Sequence, residues 1–377
     1  MIISSIEVYP LRLPMKSDFA ISGGAVGNQA EGAPHVYVRI ESDTGAVGWG
    51  EARPSHRWSS ETLESVVSTI EKYLKPTLIG LPAGDLRQIE RILAKQIAHG
   101  YNAGQPIAKA AVDMALHDLL AVAEGKRLTE LWHAPSADRI DLSYLISTSD
   151  PEEARAKSAY AKSQGFKGVD VKIGLDPKRD AEIVRAVKEA APDLFFRVDA
   201  NQAYSLPEAI RIAKELEAIG IDVFEQPMRA NMLQEHALLR RKTDLPIALD
   251  ESIWTPSDLL QAIRLEACDY AVVKLTKMAG FRGAKLCGEI AHHACLGLLG
   301  GGLTESGLGL AASAQLFLAL DIRSPVDLNG PFFLADDPIR EKPVLARGTA
   351  FLPQGLGIGC VPDERLLDRY RSPVCCE

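Results

Sequence analysis

Five side chains in this sequence carry the types and the spacing that chemistry needs. Lys172, Asp199, Glu225, Asp250 and Lys274 fall at or near the ends of short apolar runs, in "VDVKIG", "RVDANQAY", "VFEQP", "IALDES" and "VVKLTK", at steps of 27, 26, 25 and 24 residues. One such carboxylate or ammonium is ordinarily a helix cap or a solvated surface group. Five on consecutive units at a nearly constant beat point to a shared site. Three carboxylates brought together repel one another and raise each other's pKa unless positive charge sits among them, and a divalent cation meets that need. With oxygen donors only, the expected ion is hard: Mg²⁺, with Mn²⁺ as the alternative, rather than Zn²⁺. The two lysines would flank it. A lysine partly desolvated beside such an ion has a lowered pKa and can serve as a base. The α-proton of a substrate carboxylate on the ion is acidified, because the ion stabilises the enediolate that deprotonation leaves.

The elements that must position these residues are legible in the same region. From about Ile140 the runs "DLSYLIS", "GVDVKIG", "LFFRVDA", "IDVFEQP", "LPIALDE", "DYAVVKL" and "CLGLLGG", with a weaker last one near "SPVDLNG", alternate with amphipathic segments such as "PEEARAKSAYAKSQ" and "PSDLLQAIRLEA". Strands alternating with helices predict parallel βαβ units, and about eight of them predict a (β/α)₈ barrel, taken as residues 126–344. Active sites of such barrels lie at the C-terminal ends of the strands, where these five side chains would converge. Before it, "SSIEVYPLRL" and "HVYVRIESDTGAVGWGEA" alternate at period two and are followed by helical patterns, which predicts an α+β unit over residues 1–125.

At 377 residues the chain exceeds what one core usually serves. A net charge of −8 argues against nucleic-acid binding. No apolar run reaches the ~18 residues of a membrane span, and no signal-peptide pattern opens the chain. Cys268, Cys287, Cys295, Cys360, Cys375 and Cys376 form no C-x-x-C, so a reducing, cytoplasmic setting is expected. The glycine-rich "GLLGGGLTESGLG" lacks the spacing of a phosphate loop, and "GLGIG" lacks that of a dinucleotide fold.

"VDVKIG", "RVDANQAY", "FEQP", "ALDES" and "VVKLTKMAG", in this order, resemble the mandelate racemase and muconate lactonizing enzyme family of the enolase superfamily. "GGGLTESGLGLAASAQLFLAL" and "FLPQGLGIGCVPDE" are most similar to its muconate cycloisomerase group. The resemblance implies a modified (β/α)₈ barrel capped by the N-terminal unit, with residues 345–377 packing back onto that cap. It implies Asp199, Glu225 and Asp250 as metal ligands, Lys172 and Lys274 as the acid/base pair, Glu305 on the remaining side of the pocket, and a homo-oligomer. Asn201, and Arg53, His56 and Trp58 of the cap loop "EARPSHRWSSET", are expected to touch the substrate or support the groups that do.

The family usually has Lys-x-Lys where this chain reads Asp170-Val171-Lys172. Residues i and i+2 share a face, so Asp170 should stand beside Lys172 and raise its pKa. Either it pairs with Lys172 or receives a cationic group of the substrate, or Lys172 is no longer the working base and Lys274 acts alone. Gln315 stands where related chains often carry His and reads as an ordinary polar residue; His292 and His293 read as helix surface. The favoured activity is cycloisomerisation of a muconate-like diacid. The rival is racemisation, epimerisation or dehydration of an amino-acid derivative by the same half-reaction, which Asp170 favours, although "LTE" poorly matches the Asp-x-Asp that dipeptide epimerases carry on the last strands. A barrel that binds metal without turnover is the third reading.

Overall fold

The computed structural model describes residues 1–100, 103–134 and 138–374; Cys375 and Cys376 lie outside them. The first strands are β1 (Ile3–Leu13), the hairpin β2 (Phe19–Ile21) and β3 (Gly24–Gly27), β4 (Ala33–Ser42) and β5 (Val47–Ala52). β1, β4 and β5 form an antiparallel sheet with β4 in the middle. The helix Pro106–Ala123 lies against this sheet at unusually short range. A Cβ on Gly50 would stand 2.0 Å from the Ala111 carbonyl oxygen and one on Gly48 2.2 Å from that of Ala115, so only glycine admits the helix backbone there.

β6 (Arg139–Asp141) leads into the barrel. β7 (Ser143–Ser147), β8 (Gly168–Lys172), β9 (Phe195–Asp199), β10 (Val223–Glu225), β11 (Ile247–Leu249), β12 (Tyr270–Val273) and β13 (Gly297–Gly300) form one parallel sheet in chain order. Every residue of β8, β10 and β11 is buried, as expected of strands covered outside by helices and inside by their neighbours. The connecting helices start on local signals. Thr255 and Asp258 close a capping box before Pro256–Leu265, and Ser205 and Glu208 do so before Leu206–Ile219.

The weak last run departs from expectation. Val326 and Asp327 make only single parallel bridges, to Leu142 and Gly301, and the helix that follows is one turn, Gly330–Phe333. Pro325 has no N–H to give to a ladder. The seam is closed by a few backbone bonds, from the Ser143 N–H to the Val326 carbonyl and the Val326 N–H to the Asp141 carbonyl, both at 3.0 Å, and from the Asp327 N–H to the Gly300 carbonyl at 3.1 Å. The Asn329 side chain adds to them, its Oδ1 accepting from the Leu145 N–H at 3.3 Å and its Nδ2 donating to the Ser143 carbonyl at 3.0 Å. The barrel thus has seven regular strand–helix units and a two-residue eighth strand, with a side chain reinforcing the seam.

The C-terminal segment serves both parts. β14 (Val344–Ala346) and β15 (Thr349–Phe351) join β6 in an antiparallel sheet, and further on Tyr370 and Ser372 bond the backbone of Arg12 and Pro10 on β1. Gln315 is fully buried and donates to the carbonyls of Gly357 and Ile358, so it ties this segment to its helix. His292 and His293 are exposed at a helix end. Among the described residues no helix is long and apolar enough to cross a membrane.

Candidate active site and metal centre

Strand register assembles the site. Lys172 on β8 pairs with Asp199 on β9, and Asp199 with Glu225 on β10, so the three stand at one level. Alternate residues share a face, and Asp170 and Arg197, also paired, form the layer beneath. Val223, in register with Arg197, packs with Ala248, Val272 and Leu299 in a buried apolar cluster. Asp250 and Lys274 are the residues immediately after β11 and β12. After Asp199 the chain turns through Asn201 and Gln202 with φ of 41° and 70°. The Asn201 N–H donates to Asp199 Oδ1 at 2.8 Å, and Asn201 Nδ2 to Glu251 Oε1 at 3.1 Å. Asp199 therefore faces the barrel interior and leaves the next helix to the cap at Ser205.

All these ionisable groups are buried, so each needs a partner. Lys172 Nζ lies 2.7 Å from Asp199, 3.2 Å from Asp170 and 3.7 Å from Asp327. Arg197 pairs with Glu225 and donates to the Gly300 carbonyl at 3.2 Å. Asp250 is held by Lys274 at 2.6 Å on one oxygen and by Lys277 at 2.7 Å on the other. Burial would lower the Lys172 pKa, but Asp170, Asp199 and Asp327 outweigh it and carry it well above the ordinary ammonium value, in the direction expected of Asp170. Burial raises Glu225 far above the carboxylate range; Asp199, Asp250 and Asp170 add to this and Arg197 offsets only part. For Asp250 burial acts the same way, yet its two lysines win and hold it well below that range.

Sequence reasoning gave the task of neutralising the acids to a metal ion alone, whereas the fold also supplies Arg197 and Lys277. Both were open to discovery as "RVD" and "KLTK", two and three residues from assigned positions. Among the described residues no three His, Cys, Asp or Glu side chains already enclose an ion; the acids lean on the four basic groups instead. Their chemistry nonetheless fits a hard divalent ion. The donors on β9, β10 and β11 are oxygen only, Glu225 Oε1 is buried without a hydrogen-bond donor, and the charges of Asp199 and Asp250 both act on Glu225.

Above this layer lies a chamber with about 40 Å³ of water-accessible space. The cap contributes Phe19, Ile21 and Val26 from the β2–β3 hairpin and Ser55 and Trp58 from the next loop; the barrel contributes Leu145, Lys172, Asn201, Lys274, Thr304, Asp327 and Asn329 among others. Trp58 and Asn201 thus stand where a substrate contact requires. Arg53 and His56 do not line the chamber. Arg53 is buried, donating to the carbonyls of Pro54 at 2.7 Å and Val26 at 3.2 Å, so it fastens the two cap loops together. His56 is exposed on a neighbouring surface cleft. Glu305 lies behind the wall, accepting from Thr276 Oγ1 and the Leu303 N–H, both at 2.7 Å. Asp327 and Asn329 were missed. The acidic pattern was sought in "LTE", but the residues that reach the mouth at the seam of the barrel are those of "VDLNG".

The cap is fixed to the barrel by Glu51. It accepts from the Ser306 N–H at 2.8 Å, Ser306 Oγ at 2.7 Å and the Gly309 N–H at 2.8 Å, and lies 2.7 Å from His35 Nδ1. Burial pushes its pKa up to about 7 against these hydrogen bonds.

A parallel barrel with five buried acid and lysine groups at the strand ends, roofed by loops of an α+β cap, is the architecture of an enolase-superfamily enzyme. Residues 6–132 match the mandelate racemase / muconate lactonizing enzyme N-terminal domain and residues 152–366 the enolase C-terminal domain-like family, and the chain belongs to this mandelate racemase / muconate lactonizing enzyme family. It is 31% identical to the L-Ala-D/L-Glu epimerase of Clostridium acetobutylicum over 90% of this chain and 93% of that one. The crystal structure of a dipeptide epimerase from Cytophaga hutchinsonii, complexed with Mg and D-Ala-L-Val, superposes with a TM-score of 0.91 at 29% identity, covering 98% of each chain. The muconate lactonizing enzyme of Pseudomonas fluorescens complexed with muconolactone gives 0.92 at 27% identity, covering 98% of this chain and 99% of that one.

Proposed function

We propose that this chain is a Mg²⁺-dependent racemase or epimerase of an amino-acid derivative, a dipeptide or an N-acyl amino acid, rather than the cycloisomerase that the C-terminal motifs favoured. The observation that carries this reading is the charge of the chamber wall. Among the described residues that line it, the cations are Lys172 and Lys274, and both are assigned to proton transfer. A diacid such as muconate would bring a second carboxylate toward Asp327, with Asp170 in the layer beneath, and with Arg53 committed to backbone carbonyls. A substrate with one carboxylate and a neutral or cationic nitrogen meets no such repulsion. The apolar Phe19, Ile21, Val26 and Leu145 suit an apolar side chain on that substrate.

In this reading Asp199, Glu225 and Asp250 hold the ion. When bound, the ion supplies positive charge against which negative charge collects on the substrate carboxylate as the α-proton leaves. Lys172, at the end of β8, and Lys274, after β12, stand on either side of the three acid-bearing strands. Each Nζ can take or return the proton on its own face of the α-carbon, and the cap loops keep bulk water from the exposed face. The likeness to dipeptide epimerases supports the same reading.

The test is α-proton exchange in D₂O with Mg²⁺, followed by NMR, on dipeptides such as L-Ala-L-Leu and on N-acyl amino acids, beside cis,cis-muconate followed by lactone formation. Exchange and epimer formation on the amino-acid derivatives is expected. Turnover of muconate without such exchange would return the assignment to cycloisomerase. Mg²⁺ binding with neither reaction would mark a barrel without turnover.

A further inference from the structure

We propose that Trp58 is a positioning residue for Lys274: the indole, carried in by the cap, holds the ammonium on the side from which this lysine reaches the α-carbon. The proposal rests on the reading of Lys274 as an acid/base group given above. Lys274 Nζ lies 4.7 Å from the centroid of the Trp58 ring, and its ion pair is with Asp250 at 2.6 Å. Lys172 is placed by other means, among Asp199, Asp170 and Asp327. A ring face attracts a cation but cannot accept its proton, so it fixes the ammonium without competing for what the lysine must transfer. Asp250 is also assigned to the metal ion; the ring is not, and its hold on Lys274 is independent of that ion.

The ring is itself well held. It packs on Trp254 with centroids 5.3 Å apart, and Trp254 Nε1 donates to the Glu251 carbonyl at 2.7 Å. The loop folds back on itself, with the N–H groups of Trp58 and Ser59 donating to the Ser55 carbonyl at 3.0 and 2.8 Å. Glu61 then anchors it by accepting from the N–H groups of Ile107 and Ala108 at 2.9 and 3.0 Å. The two faces of the site are therefore built asymmetrically. Lys172 is placed by barrel carboxylates alone, and Lys274 by one barrel carboxylate together with an aromatic side chain of the cap loop.

The experiment compares α-proton exchange from L-Ala-L-Leu and L-Ala-D-Leu, with Mg²⁺ in D₂O, in wild type, Trp58→Leu and Trp58→Phe. Lys274→Met identifies the epimer whose proton faces Lys274. The ratio of exchange at the Lys274 face to that at the opposite face is expected to fall about tenfold in Trp58→Leu, equivalent to about 1.4 kcal/mol, and to lie between in Trp58→Phe, which keeps a smaller ring face. An unchanged ratio, or a Phe variant no better than Leu, overturns the proposal. If wild type exchanges neither these dipeptides nor the N-acyl amino acids named above, the functional reading fails on its own and tryptophan emission of the substrate-free protein decides this one. Lys274→Met should shift the emission in the wild-type background and not in Trp58→Leu. Equal shifts in both, or none in either, overturn the contact.

Discussion

Glu51→Ala should loosen the cap from the barrel, and the size of the effect follows from which of its partners can find another. Ser306 Oγ keeps the bond that the Tyr37 hydroxyl donates to it at 2.5 Å, whereas His35, whose Nε2 is buried without a partner, loses its Nδ1 partner at 2.7 Å. The N–H groups of Ser306 and Gly309 cannot move, because they open the helix Gly307–Ala319. Leaving a buried donor unsatisfied costs about 1–3 kcal/mol, so these two alone predict a loss of roughly 2–6 kcal/mol. For a chain of 377 residues an unfolding entropy of about 2.1 cal/mol/K per residue makes each kcal/mol worth about 1.3 °C of melting temperature, which puts the variant at least about 2.5 °C below wild type. Glu51→Gln keeps one acceptor oxygen and should fall between. Differential scanning calorimetry reads both, and activity should fall with them because both cap loops lose their seat over the chamber. A melting temperature for Glu51→Ala within about 1 °C of wild type would refute the assignment of Glu51 as the fastening between the two parts.

Asp199→Asn, Glu225→Gln and Asp250→Asn should each weaken Mg²⁺ binding about 100-fold or more by calorimetry, since groups one step removed from an ion are already worth roughly 10–100-fold; near-native binding in Glu225→Gln would remove that ligand. Burial pushes Glu61 up to about 7 from an ordinary 4.5 despite hydrogen bonds from Ile107 and Ala108. The folded state therefore binds the extra proton between these values, its contribution is complete below about pH 4.5, and it is lost as the pH rises through about 7. Urea denaturation of wild type from pH 5 to 8 should show this decline, on the order of 3 kcal/mol for this group, and Glu61→Gln should flatten it; an equal slope in the variant would count against it. Gly50→Ala should cost about 3 kcal/mol or more, because the added carbon meets helix backbone rather than a side chain that can turn aside; a soluble variant of unchanged stability would show that the helix can shift.

How much was legible in the sequence follows physical lines. Strands ending in Lys172, Asp199 and Glu225 are local objects: an apolar run, its terminal charged residue and the amphipathic segment after it lie within about one βα unit, and their repetition at nearly equal steps makes convergence a matter of topology. The seam was less legible. Pro325 and a run too short for a ladder leave only a few backbone bonds there, and nothing in "SPVDLNG" says that the Asn329 amide must reinforce them by bridging to Ser143 and Leu145, 184 or more residues earlier. Arg53 and His56 sit three residues apart in one polar loop and looked alike, but one is buried on the carbonyls of both cap loops and the other faces outward.

The sequence by itself determined the barrel, its cap, and the five charged positions at the strand ends, because period, register and strand-end placement are set by neighbours along the chain. Tertiary structure decided how those charges are balanced: Arg197 and Lys277 entering among the acids, Asp327 arriving at the seam, and Trp58 descending onto Lys274. Charge balance and ring contacts depend on which groups, remote in the chain, are desolvated together. That is a property of packed space, and linear order does not encode it directly.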